Sequence, residues 1–123
     1  MRRLTRRKRG ISLEQRVDEV SRYLRGWIGY FGYVESPWVL RGLDSWIRRR
    51  LRSVQWKQWK VYRRRKAELI RLGVSRDMAQ RTAWSVKGPW ALSQAPGVRI
   101  ALPNAYFDRL GLPRLANHQH IQL

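Results

Sequence analysis

Along residues 13 to 31 apolar side chains return at alternating steps of four and three: Leu13, Val17, Val20, Leu24, Trp27 and Phe31. At 3.6 residues per turn that spacing holds them on one face, so the stretch predicts an amphipathic helix. Ser12 followed by Gln15 is a capping-box pattern and sets its start. Gly26, Gly29 and Gly32 recur every three residues beside the aromatic end of the stripe. Each costs about 1 kcal/mol against alanine in a helix interior. They predict a smooth strip, open to close packing of another helix or to an RNA backbone, and a helix that ends near Gly32.

Ser36-Pro37 is a second start signal, with proline at the first helical position. Leu40, Leu43, Ile47, Leu51 and Val54 then trace one narrow stripe. The pattern continues helical from Trp56 to Leu72, with Val61, Tyr62, Leu69 and Leu72 inward and Gly73 as the stop. Ser75 caps a shorter helix to about Val86, which Lys87-Gly88-Pro89 ends. Beyond Pro89, Pro96-Gly97, Pro103 and Gly111-Leu112-Pro113 cut the chain into short pieces, with a helical turn or two from Pro103 to Leu110. The expected fold is mainly α, a small helical bundle of three to five helices with an irregular C-terminal segment. Residues 1–10 form a basic flexible arm, 11–95 the helical domain, and 96–123 an extension with one short helix and a frayed tail.

A chain of 123 residues is one domain's worth. Seven Trp and 43% hydrophobic residues predict a folded chain, since disordered ones are poor in aromatics. The absence of cysteine excludes disulfides and thiolate metal sites. No apolar run approaches the length of a spanning helix and no signal-peptide pattern follows the basic start, so the expectation is a soluble, cytoplasmic protein.

Charge changes the picture most. The net value of +19 would drive a compact chain apart without counterions, and it calls for a polyanionic partner. The cations are also concentrated: six lie in the first ten residues (Arg2, Arg3, Arg6, Arg7, Lys8, Arg9), and eleven lie between Arg41 and Lys66 against the single acid Asp44. Projected at 100° per residue, Arg41, Arg48, Arg49, Arg52, Arg63 and Lys66 fall on a flank away from the apolar stripe, with Trp56 and Trp59 among them. The Arg bias suits bidentate phosphate binding, and flat rings suit base stacking. Arg41, Arg48, Arg49, Arg52, Trp56, Lys57, Trp59, Lys60, Arg63, Arg64 and Lys66 are therefore the candidate RNA-binding residues, with the arm as a second contact. For Trp56 and Trp59 the competing role is core, anchoring the segment that holds Trp84 and Trp90 as a second small core. Asp44 is expected to pair with Arg41 or Arg48 at the helix surface. Ser45, Ser53, Ser85 and Ser93 have no base nearby in sequence, and the two histidines, His118 and His120, lie in the tail. No catalytic residue, metal site or cofactor is predicted.

Four ordered motifs make the partner more specific. Arg25-Gly26-Trp27-Ile28-Gly29-Tyr30-Phe31, then Leu43-Asp44-Ser45-Trp46-Ile47-Arg48-Arg49-Arg50-Leu51-Arg52, then Trp56-Lys57-Gln58-Trp59-Lys60, then Gly88-Pro89-Trp90-Ala91-Leu92-Ser93 resemble the maturase-specific domain of group II intron-encoded reverse transcriptases, over roughly residues 12 to 95. In that family this region, domain X or the thumb, is α-helical and follows the polymerase palm. The resemblance implies binding of structured intron RNA to assist splicing, a grip on the template-primer RNA/DNA duplex and a reverse transcriptase palm domain as partner; no membrane partner is expected, for want of a spanning apolar run. The resemblance implies no enzyme in this chain, although full-length members are RNA-directed DNA polymerases. The palm's paired-aspartate motif has no match, since Asp18, Asp44, Asp77 and Asp108 are isolated, and His118 and His120 without cysteine do not supply the endonuclease module's metal cluster. Met1 so close ahead of the domain points to a truncated reading frame or an expressed fragment. Three other readings stand beside this one: a helical DNA-binding protein, an idle remnant or thumb acting only with a polymerase in trans, and a basic amphipathic helix on an anionic membrane.

Overall fold

Residues 11–31 and 37–115 are described by the computed structural model of the protein. They form α1 (Leu13–Phe31), α2 (Pro37–Trp59), α3 (Tyr62–Arg71), α4 (Arg76–Trp84), α5 (Pro89–Leu92), α6 (Pro96–Ala101) and α7 (Asn104–Arg109), with no strand among them. The fold is mainly α, as expected. Its four longer helices fall within the expected bundle; past Pro89 the short helix expected between Pro103 and Leu110 is present as α7, and α5 and α6 add two more. The basic arm, Gly32 to Ser36, and the tail with His118 and His120 lie outside the described residues.

Local signals act where the sequence puts them. Ser12 Oγ accepts from the Gln15 amide at 3.1 Å, and Ser75 Oγ from the Met78 amide at 3.3 Å, so each satisfies an orphan donor at a helix start. At the end of α3, Gly73 sits at φ 100, in the left-handed region that a side chain resists. The Val74 amide donates to the Leu69 carbonyl and the Gly73 amide to that of Ile70, which closes a Schellman motif. Gly26, by contrast, has no neighbour that an added Cβ would meet, so it is not a point of close helix packing.

Both stripes face inward. Val17, Val20 and Leu24 of α1 and Leu40, Ile47, Leu51 and Val54 of α2 are buried, and Trp27, Leu43 and Trp46 pack partly buried against the same core. Trp56 and Trp59 join that cluster, as do Leu92, Val98, Leu102, Phe107, Leu112 and Leu115. One core therefore runs from α1 to the end of the described chain.

The helix runs unbroken through Gln55, as the projection assumed, but its expected continuation from Trp56 to Leu72 is interrupted at Lys60. Lys60 takes φ 68, and the Val61 amide folds back to the Trp59 carbonyl at 2.7 Å, so α2 stops and α3 leaves in a new direction. The turn leaves Val61 exposed, not inward as its spacing predicted. Arg65 of α3 reaches back across the corner: its Nε donates to the Trp56 carbonyl at 3.2 Å and its guanidinium lies 4.7 Å from the Trp56 ring centre. A cation at the carbonyl end of α2 is favoured by the helix dipole.

α6 packs on α4 at Gly97. A Cβ there would overlap the Thr82 hydroxyl, whose Oγ1 is already fixed by donating to the Met78 carbonyl at 2.7 Å. Gly97→Ala should destabilise the protein by about 1–3 kcal/mol, as overpacking does. Adding Thr82→Ala should recover part of that loss in the urea midpoint, and a fully additive double variant would show the contact does not set the packing.

Candidate nucleic-acid interface

The arginines of α2 do not share one face. Arg48 is 2% and Arg52 8% exposed, so the outward placement expected for them is corrected. The projection treated the apolar stripe as the only covered face, whereas the helices after Pro89 cover the arginine flank as a second layer.

These guanidiniums serve chain ends that cannot satisfy themselves. Arg49 donates from Nη2 to the Trp90 carbonyl and from Nε to Ser93 Oγ, both at 3.0 Å, at the C-terminus of α5. Arg52 donates from Nε to the Leu102 carbonyl at 2.6 Å, at the C-cap of α6, and from Nη2 to Asn104 Oδ1 at 2.8 Å. Arg48 pairs with Asp108 of α7 at 3.2 Å and with Asp44, one turn back, at 3.7 Å. The expected Asp44–Arg48 pair is thus present but largely sheltered, and Asp44 Oδ1 also accepts the Leu115 amide at 2.8 Å. Burial, then the charges of Arg99 and Arg48, lower the Arg52 pKa to about 10.

Of the two roles open to Trp56 and Trp59, core and base stacking, the structure gives core, and it removes the second small core expected around Trp84 and Trp90. Trp56 is fully buried and Trp59 nearly so, their rings edge to face at 6.1 Å, so both are core. Trp84 and Trp90, expected as a second core, are 65% and 37% exposed, and Trp38 is exposed beside Arg41. Trp84 lies 4.6 Å from the Tyr62 ring, and Lys66 Nζ stands 5.9 Å from that ring's centre.

What stays outside is a cationic corner. Lys57 and Lys60 at the end of α2 and Arg63 and Arg64 in the first turn of α3 are exposed, Lys66 is half-buried, and Arg41 is exposed further back on α2. The break at Lys60 gathers the first four around one bend, next to the Tyr62 and Trp84 rings. Trp84 and Val86, the latter fully exposed, were missed as surface residues because an apolar ring near the end of a helix gives no periodic sign of its direction. The covered arginines had a possible signal: helices punctuated by proline and glycine leave carbonyls that need donors from elsewhere.

Among the described residues no group of three or more His, Cys, Asp or Glu side chains could hold a metal ion, and no helix is long and apolar enough to cross a membrane. The architecture defines a basic helical module whose cations divide between structural ties and an exposed corner. The chain belongs to the group II intron maturase-specific domain family, which matches residues 1–72. No curated protein matches it. The match takes in the basic arm and ends at the C-cap of α3, so α4 to α7 lie beyond it.

Two consequences of this geometry are measurable. Arg65→Ala should lower stability by about 1–2 kcal/mol through loss of the bond to the Trp56 carbonyl, and Arg65→Lys should recover little, lacking the planar fork. Asp108 is held below the usual carboxylate range by the hydrogen bond from Arg114, with a further bond from Arg48 and burial opposing. Its contribution is complete above the unfolded value near pH 4 and is lost as pH falls through the lower folded value. Asp108→Asn should therefore unfold at a lower temperature than the unaltered chain at pH 6, with the gap closing as pH falls below the ordinary carboxylate range.

Proposed function

We propose that this chain is a non-catalytic RNA-binding module of a group II intron maturase, acting in the cytoplasm on structured intron RNA. The observation that carries the reading is the exposed corner of Lys57, Lys60, Arg63 and Arg64 on a domain of that family. These cations have no exposed acid interleaved in sequence among them, unlike an ordinary solvated face. RNA helices are contacted through phosphates and 2′-hydroxyls, and unpaired bases through stacking. The corner offers cations for the first, and Tyr62 with Trp84 offers rings for the second. Arg2, Arg3, Arg6, Arg7, Lys8 and Arg9 add a second cationic segment, as such arms do on meeting phosphate. The same surface suits the grip on a template-primer duplex beside a reverse transcriptase palm.

A mobility-shift titration of folded group II intron RNA against an unrelated duplex, at several salt concentrations, tests the reading. About five phosphate contacts from Lys57, Lys60, Arg63, Arg64 and Lys66 would give a log-log salt slope of about −4 to −5. Arg63→Ala with Arg64→Ala should make the slope shallower by about 2 and weaken both RNAs. Trp84→Ala should weaken the intron RNA more than the duplex, by about 1–3 kcal/mol, if it stacks on an unpaired base. Equal affinity for the two RNAs in the unaltered chain would leave a general polyanion binder and remove the maturase assignment.

A further inference from the structure

Between α2 and the helices after Pro89 lies a cleft of about 670 Å³, within the range of small-ligand pockets. Arg48 and Arg52 form its buried floor, and Arg41, Arg49, Arg99 and Arg114 line the remainder. Asp44 is the sole carboxylate among the lining residues. Arg48 takes Asp44 and, together with Arg114, the neighbouring Asp108. The other four arginines form no ion pair with a carboxylate among the described residues.

Arg52 is the most constrained of these. Its two bonds go to neutral acceptors, while Arg99 and Arg48 repel it. Those bonds use Nε and Nη2, which leaves Nη1. An enclosed excess of guanidinium charge with neutral partners is relieved by an anion, and the planar fork matches the two oxygens of a phosphate. Trp90 also lines the cleft: its ring lies 3.8 Å from the Arg49 guanidinium and is 37% exposed, a flat surface open to a sugar or base.

We infer that this cleft holds the backbone of the bound RNA strand, with one phosphate on Arg52 and Arg99, a further phosphate at Arg41 and Trp90 flanking the path. The inference rests on the RNA-binding reading above and adds a contact to it. It also gives the helices after Pro89 a binding role, although the family match ends at residue 72.

The test uses the full chain. Arg41→Glu with Arg99→Glu reverses two exposed charges that hold no helix end, and Arg63→Glu with Arg64→Glu alters the α2–α3 corner for comparison. Each is titrated with a 5′-hydroxyl RNA hairpin across a salt series, and its melting temperature is followed with added inorganic pyrophosphate. The expected result is at least about a tenfold loss of RNA affinity in the Arg41/Arg99 variant and a salt slope shallower by about 1 to 2. Pyrophosphate should raise the melting temperature of the unaltered chain but not of that variant. Unaltered affinity and slope in the Arg41/Arg99 variant, with loss in the Arg63/Arg64 variant, overturns the cleft and leaves the proposed function standing. Pyrophosphate stabilisation that depends on Arg41 and Arg99, with RNA affinity unchanged, makes the ligand a free phosphate and overturns the strand assignment. If the unaltered chain binds no RNA, the proposed function and the strand contact fall together.

Discussion

Short helices cannot satisfy their own ends, and that constraint shapes this molecule. α5 has four residues, α6 six and α7 six. Isolated helices shorter than about 12 residues are marginal even in favourable sequences, because nucleation fixes several residues for the first hydrogen bond. Each of the three is held from α2 instead. Arg49 donates at the end of α5, Arg52 at the end of α6, and Arg48 pairs with Asp108 of α7. Hydrogen bonds to charged groups contribute about 1.5–3 kcal/mol each, the right size to decide whether such segments dock. Docking then delivers Leu92, Val98, Leu102 and Phe107 to the core, so polar ties and apolar burial depend on each other.

The same arrangement limits how the basic block can act. A guanidinium committed to a carbonyl on one side offers fewer donors to a partner on the other, so the eleven cations from Arg41 to Lys66 are not eleven phosphate contacts. The commitment has a further effect. Buried positive charge with neutral acceptors leaves Arg52 less willing to stay charged than an exposed arginine, its pKa drawn down to about 10. At +19 the folded chain gains from any bound polyanion twice over, through the contacts themselves and through relief of self-repulsion. Polyanion binding and folding stability are linked in such a chain, because a ligand that binds only the folded form stabilises it.

Much of the fold could be read in the sequence because it depends on one helix at a time. The stripes of α1 and α2, the caps at Ser12 and Ser75 and the stop at Gly73 are local rules acting locally. The rest required knowledge of what covers each helix. Periodicity separates apolar from charged faces but does not count layers, so Arg48 and Arg52 read as outward although later helices close over them. An arginine can lie inward with its aliphatic stem against apolar surface, which a two-letter pattern scores as polar. The break at Lys60 was hidden because a lysine in a left-handed turn has none of the signature of glycine. Trp56 and Trp84 show the same gap from the other side: both are apolar rings in a basic region, one fully buried and the other mostly exposed, with no sequence difference to separate them.

The choice between arginine and lysine carries the finer division. Arginines of the block, Arg48, Arg49, Arg52 and Arg65 among them, donate to carbonyl, amide or hydroxyl oxygens of the described residues. The three lysines, Lys57, Lys60 and Lys66, are exposed or half-buried. A guanidinium is planar, weakly hydrated and forked, so it can be partly stripped of water while holding two acceptors at once, whereas an ammonium loses more on leaving solvent. The arginine bias that suggests phosphate binding is thus partly a requirement of the fold. Sorted by this rule, Arg41, Arg63 and Arg64 stand out as arginines of the block that are exposed and committed to no such oxygen among the described residues, where a lysine would serve the fold equally well. An arginine kept where packing does not demand one is where recognition of a phosphate is the more economical explanation.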